Sequence, residues 1–245
     1  MHDVVEVILL TAAAGAAIPL GGLLAGIERI QPKWLEWELR HAVIAFGGGI
    51  LISAVALVLV PEGVKGLPLM AVVSSMLLGG GVFCLLDVAI GRTKTSAAQM
   101  VAMLSDFLPE ALALGAVFAN GGSLGVLLAL LIGLQNLPEG FNAYRELLAA
   151  GQIRGTVILL SFVALVPIGP LAGLIGLYWL APYPRVIHAI MLFAAGGILY
   201  LTFQDIAPQA KLKRRWAPAL GAVAGFLFGL VGQLLILPPE NLIQP

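Results

Sequence analysis

Two stretches decide how this chain is read: Leu104-Ser105-Asp106-Phe107-Leu108-Pro109-Glu110-Ala111 and Leu134-Gln135-Asn136-Leu137-Pro138-Glu139-Gly140. Each lies inside a long apolar run and sets a Pro-Glu step where a membrane helix should be continuous. A carboxylate near mid-membrane is expensive and marks an ion or substrate path. A proline at the same point removes one backbone hydrogen bond and frees the carbonyl four residues back. Those carbonyls belong to Ser105 and Leu134, and Pro109 and Pro138 are expected as helix breaks. Asp106 and Glu110 are spaced i, i+4 and share a helix face, as do Gln135 and Glu139. Two such helices, facing each other, would offer Asp106, Glu110, Gln135, Asn136 and Glu139 to one point. That is an oxygen-rich set of the kind hard or borderline divalent cations take.

Composition places the whole chain in the membrane class. Sixty per cent of its 245 residues are hydrophobic and 11% are charged, and the mean hydropathy is +1.02. A soluble domain carries roughly twice that charge fraction. The formal net charge is zero, which gives no footing for nucleic-acid binding. The single cysteine, Cys84, excludes an intrachain disulfide and a cysteine-based metal site. The start, Met1-His2-Asp3-Val4-Val5-Glu6, lacks the basic region of a signal peptide, so the first apolar run is read as a retained helix.

Eight apolar runs are long enough to span a hydrocarbon core of about 30 Å, which takes about 20 residues each. They fall near 4–27, 41–61, 69–90, 97–119, 123–148, 154–180, 185–207 and 217–237, joined by short links. The expectation is one transmembrane domain, 1–245, all-α and integral to the membrane. Of the 13 Lys and Arg residues, all but Lys65 and Arg185 cluster around the links after helices one, three, five and seven. The positive-inside rule puts those links in the cytoplasm and both termini outside. Asn120-Gly121-Gly122-Ser123 turns helix four back as helix five, and counting from it leaves Glu110 and Glu139 roughly 7 Å apart in depth.

Phe46-Gly47-Gly48-Gly49-Ile50-Leu51 in helix two is similar to Phe193-Ala194-Ala195-Gly196-Gly197-Ile198-Leu199 in helix seven. Each run then reaches an acid near a proline, Pro61-Glu62 and Asp205…Pro208. Helices one to three and six to eight start on opposite sides, so the copies would be an inverted repeat, a common transporter plan. Gly221, Gly225 and Gly229 in helix eight read either as a packing seam within the bundle or as the face of a homodimer. Glu62, Asp87 and Asp205 are candidates for an ion path, with interfacial solvation as the alternative. His41 and His188 read as polar anchors at helix starts, and His2 is terminal. Trp34, Trp37, Trp179, Tyr183 and Trp216 read as interfacial anchors.

These features resemble the ZIP family of divalent metal transporters over essentially the whole chain: paired Pro-Glu helices, eight spans, both ends outside and a 3+2+3 inverted-repeat bundle. Members read His-Asn-x-Pro-Glu-Gly in helix four and His/Gln-Asn/Asp-x-Pro-Glu-Gly in helix five. Helix five matches through Gln135, Asn136, Pro138, Glu139 and Gly140. Helix four keeps Pro109 and Glu110 but has Asp106 for His, Phe107 for Asn and Ala111 for Gly. The resemblance implies a secondary transporter carrying divalent metal ions into the cytoplasm through the cell membrane, with elevator-like alternating access. Zn, Mn, Fe(II) and Cd are the candidate substrates, and the loss of imidazole moves preference from zinc toward manganese or iron(II). Relatives often hold two metals. Phe107 cannot ligate, and Gly169 aligns where a helix-six Glu contributes, so one central metal is expected. The alternative is a degenerate relative that moves another solute or acts as a sensor. An intramembrane enzyme is not expected, because no Ser/His pair or nucleophile faces the acids.

Overall fold

The computed structural model describes residues 2–28, 33–93, 96–118, 122–151, 153–210 and 216–237, without the side chains of 2–3, 33–36, 90–93, 96–102, 106 and 122. The Asn120-Gly121 turn and Arg29, Lys94, Lys211, Lys213, Arg214 and Arg215 lie outside the described residues. So do the side chains of His2, Lys33, Trp34, Arg92 and Asp106.

All regular structure among the described residues is helical. The apolar runs become α1 (His2–Ile27), α2 (Lys33–Ala54, a π turn Val55–Leu59, then Val60–Gly63), α3 (Leu69–Thr93) and α4 (Ser96–Phe118). They continue as α5 (Gly122–Ala149), α6 (Gly155–Leu165, Ile168–Ile175 and a π turn Gly176–Leu180), α7 (Pro184–Leu201, a π turn Thr202–Ile206, then Ala207–Ala210) and α8 (Ala217–Ile236). Seven of these are long and apolar enough to cross a membrane, and α4, which carries the 104–111 stretch, is 23 residues long. This is a multi-pass membrane protein. Trp37, Trp179, Tyr183 and Trp216 are all exposed, as anchors in an interfacial belt would be.

The prolines act differently from the expectation. Pro109 and Pro138 read in sequence as helix breaks, yet α4 and α5 run through them without interruption. A proline costs a helix one hydrogen bond and a local clash, and neighbouring helices can hold the ladder together on either side. The irregular turns lie elsewhere, each just before another proline. Val60, Ala181 and Ala207 donate their N–H groups five residues back, to the carbonyls of Val55, Gly176 and Thr202. The next residue in each case is Pro61, Pro182 or Pro208. Widening the turn makes room for a ring that would otherwise strike the preceding turn. Leu57, whose carbonyl Pro61 cannot serve, accepts instead from Gln233 Nε2 of α8 at 3.4 Å.

Glycine sets how closely the helices approach. In the α1–α5 seam, a Cβ at Gly21 would collide with the Leu137 carbonyl and crowd the Phe141 amide, and one at Gly140 would collide with the Ile18 carbonyl. In the α4–α6 seam, Gly176 meets the Leu112 carbonyl and the Ala116 amide, and Gly115 meets the Gly173 carbonyl. In the α2–α8 seam, Gly49 meets the Ala222 carbonyl and Phe226 amide, and Gly225 meets the Phe46 carbonyl and Ile50 amide. In the α3–α7 seam, Gly196 meets the Met76 carbonyl and Gly80 amide, and Gly79 meets the Phe193 carbonyl. Small residues allow such approach in lipid, where packing rather than hydrophobicity drives association. Gly221, Gly225 and Gly229 are thus spent on Ala42, Phe46 and Ser53 of α2, inside the bundle.

Two groups of helices emerge. The tight seams join α1 with α5, α5's neighbour α4 with α6, and α1 with α6; separately they join α2 with α8 and α3 with α7. Between the groups, α2 packs on α5 and α4 on α7. There the glycine contacts meet side chains: Gly47 meets Pro138, and Gly232 meets Leu127 and Leu130. The central core combines Val58, Leu59, Leu114, Leu127, Leu131, Met191 and Ile198 from both groups.

Gly225→Ala is expected to lower the melting temperature of the detergent-purified protein, because overpacking costs about 1–3 kcal/mol and here the obstacle is backbone. A Cβ on Gly81 would meet nothing within 4 Å. Gly81→Ala is therefore expected to hold or raise the melting temperature, since alanine favours helix by about 1 kcal/mol over glycine.

Candidate functional site

The 104–111 and 134–140 stretches meet where α4 crosses α5. Glu110 and Gln135 are 1% and 2% exposed. Gln135 Nε2 donates to both carboxylate oxygens of Glu110, at 2.7 Å each. Hydrogen bonds to a charged group contribute about 1.5–3 kcal/mol, more than neutral ones. The other end of the same amide, Gln135 Oε1, is buried with no hydrogen-bond partner. Leaving such an acceptor unsatisfied costs about 1–3 kcal/mol. The pair is thus satisfied on the carboxylate side and open on the amide-oxygen side.

Glu139 is half-buried one turn further along α5, on the face that carries Gln135. The main chain of Asp106 lies in α4 one turn before Glu110, and its side chain is outside the described residues. Asn136 is 1% exposed and turns to a different neighbour: its Nδ2 donates to the Ala14 carbonyl of α1 at 2.9 Å. Neighbouring residues on a helix point about 100° apart, so Gln135 faces α4 while Asn136 ties α5 to α1. Pro138 is buried against α2, where a Cβ on Gly47 would stand 2.9 Å from its ring. Among the described residues no group of three or more His, Cys, Asp or Glu is placed to hold a metal ion.

Phe107 fills the space beside this pair. It is 2% exposed, and its ring is wedged between α1 and α6. A Cβ on Gly15 would approach the Phe107 Cζ to 3.1 Å, and one on Gly169 to 2.8 Å. Residues 107 and 169 thus meet, through a phenyl ring and a glycine.

Two of the outlying acids have partners, and the third lies among other acids. Glu62 forms an ion pair with Lys65 at 2.6 Å at the end of α2. Asp87 on α3 accepts from the Tyr200 hydroxyl of α7 at 2.9 Å. Asp205, in the π turn of α7, lies within electrostatic range of Asp87 and of Glu146 on α5. Tyr200 and Glu146 escaped the sequence reading. Glu146 lies two turns beyond Glu139 on α5, and that spacing was the available signal. His41 Nδ1 lies 2.6 Å from the Trp37 carbonyl, a local helix contact. Arg145 of α5 pairs with Glu28 beyond the end of α1 at 2.5 Å and lies over the Phe141 ring. No protein-family model matches the chain.

Gln135→Leu removes the amide that holds a buried carboxylate, and is expected to destabilise the metal-free protein by about 1–3 kcal/mol. In a double-mutant cycle, Glu110→Leu with Gln135→Leu should then cost clearly less than the sum of the single losses. Additive losses would mean that the two side chains are energetically independent.

Proposed function

We propose that this protein is a ZIP-like secondary transporter that carries a divalent metal ion across the cell membrane into the cytoplasm. The observation that carries the reading is the buried Glu110 carboxylate between α4 and α5, with an unpartnered amide oxygen beside it. An intramembrane carboxylate is expensive and serves ion or substrate paths. A divalent cation would take Glu110, Glu139 and the Gln135 oxygen, with Asp106 as a third anionic ligand. Carboxylate and amide oxygens suit manganese, iron(II) and magnesium, and zinc also accepts carboxylates. Asn136, held on Ala14, serves better as a strut than as a ligand. The Phe107 ring against Gly15 and Gly169 favours one central metal over two.

The proposed architecture is a 3+2+3 inverted repeat with both termini outside. The recurrence of the seams supports it. The α1–α5 contacts of Gly21, Leu137, Gly140 and Phe141 have counterparts in the α6–α4 contacts of Gly176, Leu112, Gly115 and Ala116. The α2–α8 contacts of Gly49, Ala222, Gly225 and Phe46 have counterparts in the α7–α3 contacts of Gly196, Met76, Gly79 and Phe193. One constant shift in numbering carries Phe46 to Phe193, the Val55 π turn to the Thr202 π turn, and Pro61 to Pro208. Under the shift that relates α4 to α5, Glu110 itself corresponds to Gln135. Alternating access would then move α1, α4, α5 and α6 as one body against α2, α3, α7 and α8. The backbone-tight seams all fall within those bodies, and their boundary is made of side chains. Asp87, Asp205 and Glu146 would receive the released cation at the cytoplasmic end.

A second reading has one observation in its favour: the described residues place no three-fold group of His, Cys, Asp or Glu. On that reading the protein is a degenerate relative that moves another solute or senses one. Uptake in proteoliposomes separates the two. Glu110→Ala and Glu139→Ala are each expected to reduce metal uptake to background while the protein remains folded in the membrane, and normal uptake by both would exclude the transport reading. Crystals soaked with the transported metal should give one anomalous peak between α4 and α5. Two peaks within about 4 Å, the spacing of paired-metal sites, would contradict the single-metal reading.

A further inference from the structure

Gln135 is bonded in a lopsided way. Its amide nitrogen serves both oxygens of Glu110, while its amide oxygen, equally buried, has no donor. Buried polar groups in a purely structural clamp find partners. A residue that acted only as a metal ligand would not turn its nitrogen to the anion. The terminal amide torsion is roughly two-fold, so a half-turn exchanges nitrogen and oxygen within nearly the same volume. The two ends of a glutamine amide also have opposite tasks. The NH2 group donates to a carboxylate, and the oxygen accepts from a donor or binds a hard cation.

We propose that Gln135 is a built-in cation surrogate with two settings. In the empty site its N–H groups hold both oxygens of Glu110, as a cation would. When a divalent ion arrives, the amide turns, and its oxygen joins Glu110 on the metal. This rests on the metal-transport reading and adds a specificity device to it. Glu110 is partnered in both states, so the empty site neither draws in water nor rearranges its helices. The amide also competes for the carboxylate, which sets a threshold. A monovalent ion offers Glu110 too little to displace two N–H donors, whereas a divalent ion offers enough. The same competition weakens metal binding and favours release.

The test follows the amide itself by NMR, in protein labelled with 15N at the glutamine side chains. The Gln135 NH2 signals are assigned by their loss in Gln135→Glu. Metal-free Glu110→Ala marks the position of the released amide. Titration with 113Cd2+ reports metal binding independently through the cadmium signal. Saturating Cd2+ is expected to move the wild-type Gln135 signals from the metal-free position toward that of Glu110→Ala, and Na+ in large excess is expected to leave them in place. A bound cadmium signal that requires Glu110, with the Gln135 signals unmoved, would overturn the surrogate and leave the metal site standing. A shift of the same size with Na+ would overturn the threshold. No bound cadmium signal at all would overturn the transport reading, and the surrogate with it.

Discussion

A carboxylate buried between helices in a bilayer cannot be left alone, and Glu110 is such a group. An acid at the centre of a membrane helix costs roughly 2.5–3.5 kcal/mol on insertion scales, and more where water cannot follow it. The two Gln135 bonds offset part of that cost. They work only if α4 and α5 are held in fixed register and distance, and much of the bundle serves this need. Asn136 fixes α5 to Ala14 of α1, and Arg145, near the C-terminal end of α5, fixes it to Glu28. Gly21 and Gly140 let α1 and α5 approach backbone to backbone, while Gly115 and Gly176 do the same for α4 and α6. Phe107 closes the gap between α1 and α6 beside the pair.

The distribution of close seams bears on what can move. Interlocked backbones resist sliding, because a shift of a few ångströms would bring side chains onto glycine positions that have no room for them. Side-chain surfaces such as Gly47 on Pro138, or Gly232 on Leu127 and Leu130, can repack by changing rotamers. A transporter of the proposed kind needs both surfaces in one molecule: rigid contacts around the substrate site and adaptable ones where its two bodies meet. The π turns before Pro61 and Pro208 lie in α2 and α7, the helices that face α5 and α4 across that boundary. Irregular turns of this kind often mark functional positions in helices.

Much of this was legible in the sequence, because in lipid length and apolarity nearly determine helices. Among the described residues the eight runs are largely helical, the sixth with a break at 166–167, and the exposed tryptophans lie near helix ends. The two polar stretches were expected to face each other, and Glu110 and Gln135 do meet where α4 crosses α5, but their direct hydrogen bonding could not be read from the spacing. Other features depended on information that a linear pattern lacks. Pro109 and Pro138 look like breaks, but whether a proline interrupts a helix depends on the neighbours that brace it. Pro61, Pro182 and Pro208 look no different and do widen the preceding turn. Asn136 reads as a ligand beside Gln135 until the helix rotation directs it to Ala14. The four-residue glycine spacing of α8 fits a dimer face equally well, until α2 is found lying along it.

The central claim is that the buried carboxylate between α4 and α5 exists to bind a divalent cation. Thermal stability of the purified protein against Zn, Mn, Fe(II), Co, Cd, Mg and Ca tests it most directly, with a Glu110→Ala/Glu139→Ala double variant alongside. A ligand that binds the folded state alone stabilises it by mass action, about 2.7 kcal/mol at a hundredfold excess over its Kd. The account predicts a rise in melting temperature with some divalent ions and none in the double variant. No rise with any ion in the wild type, or an equal rise in the variant, would contradict it.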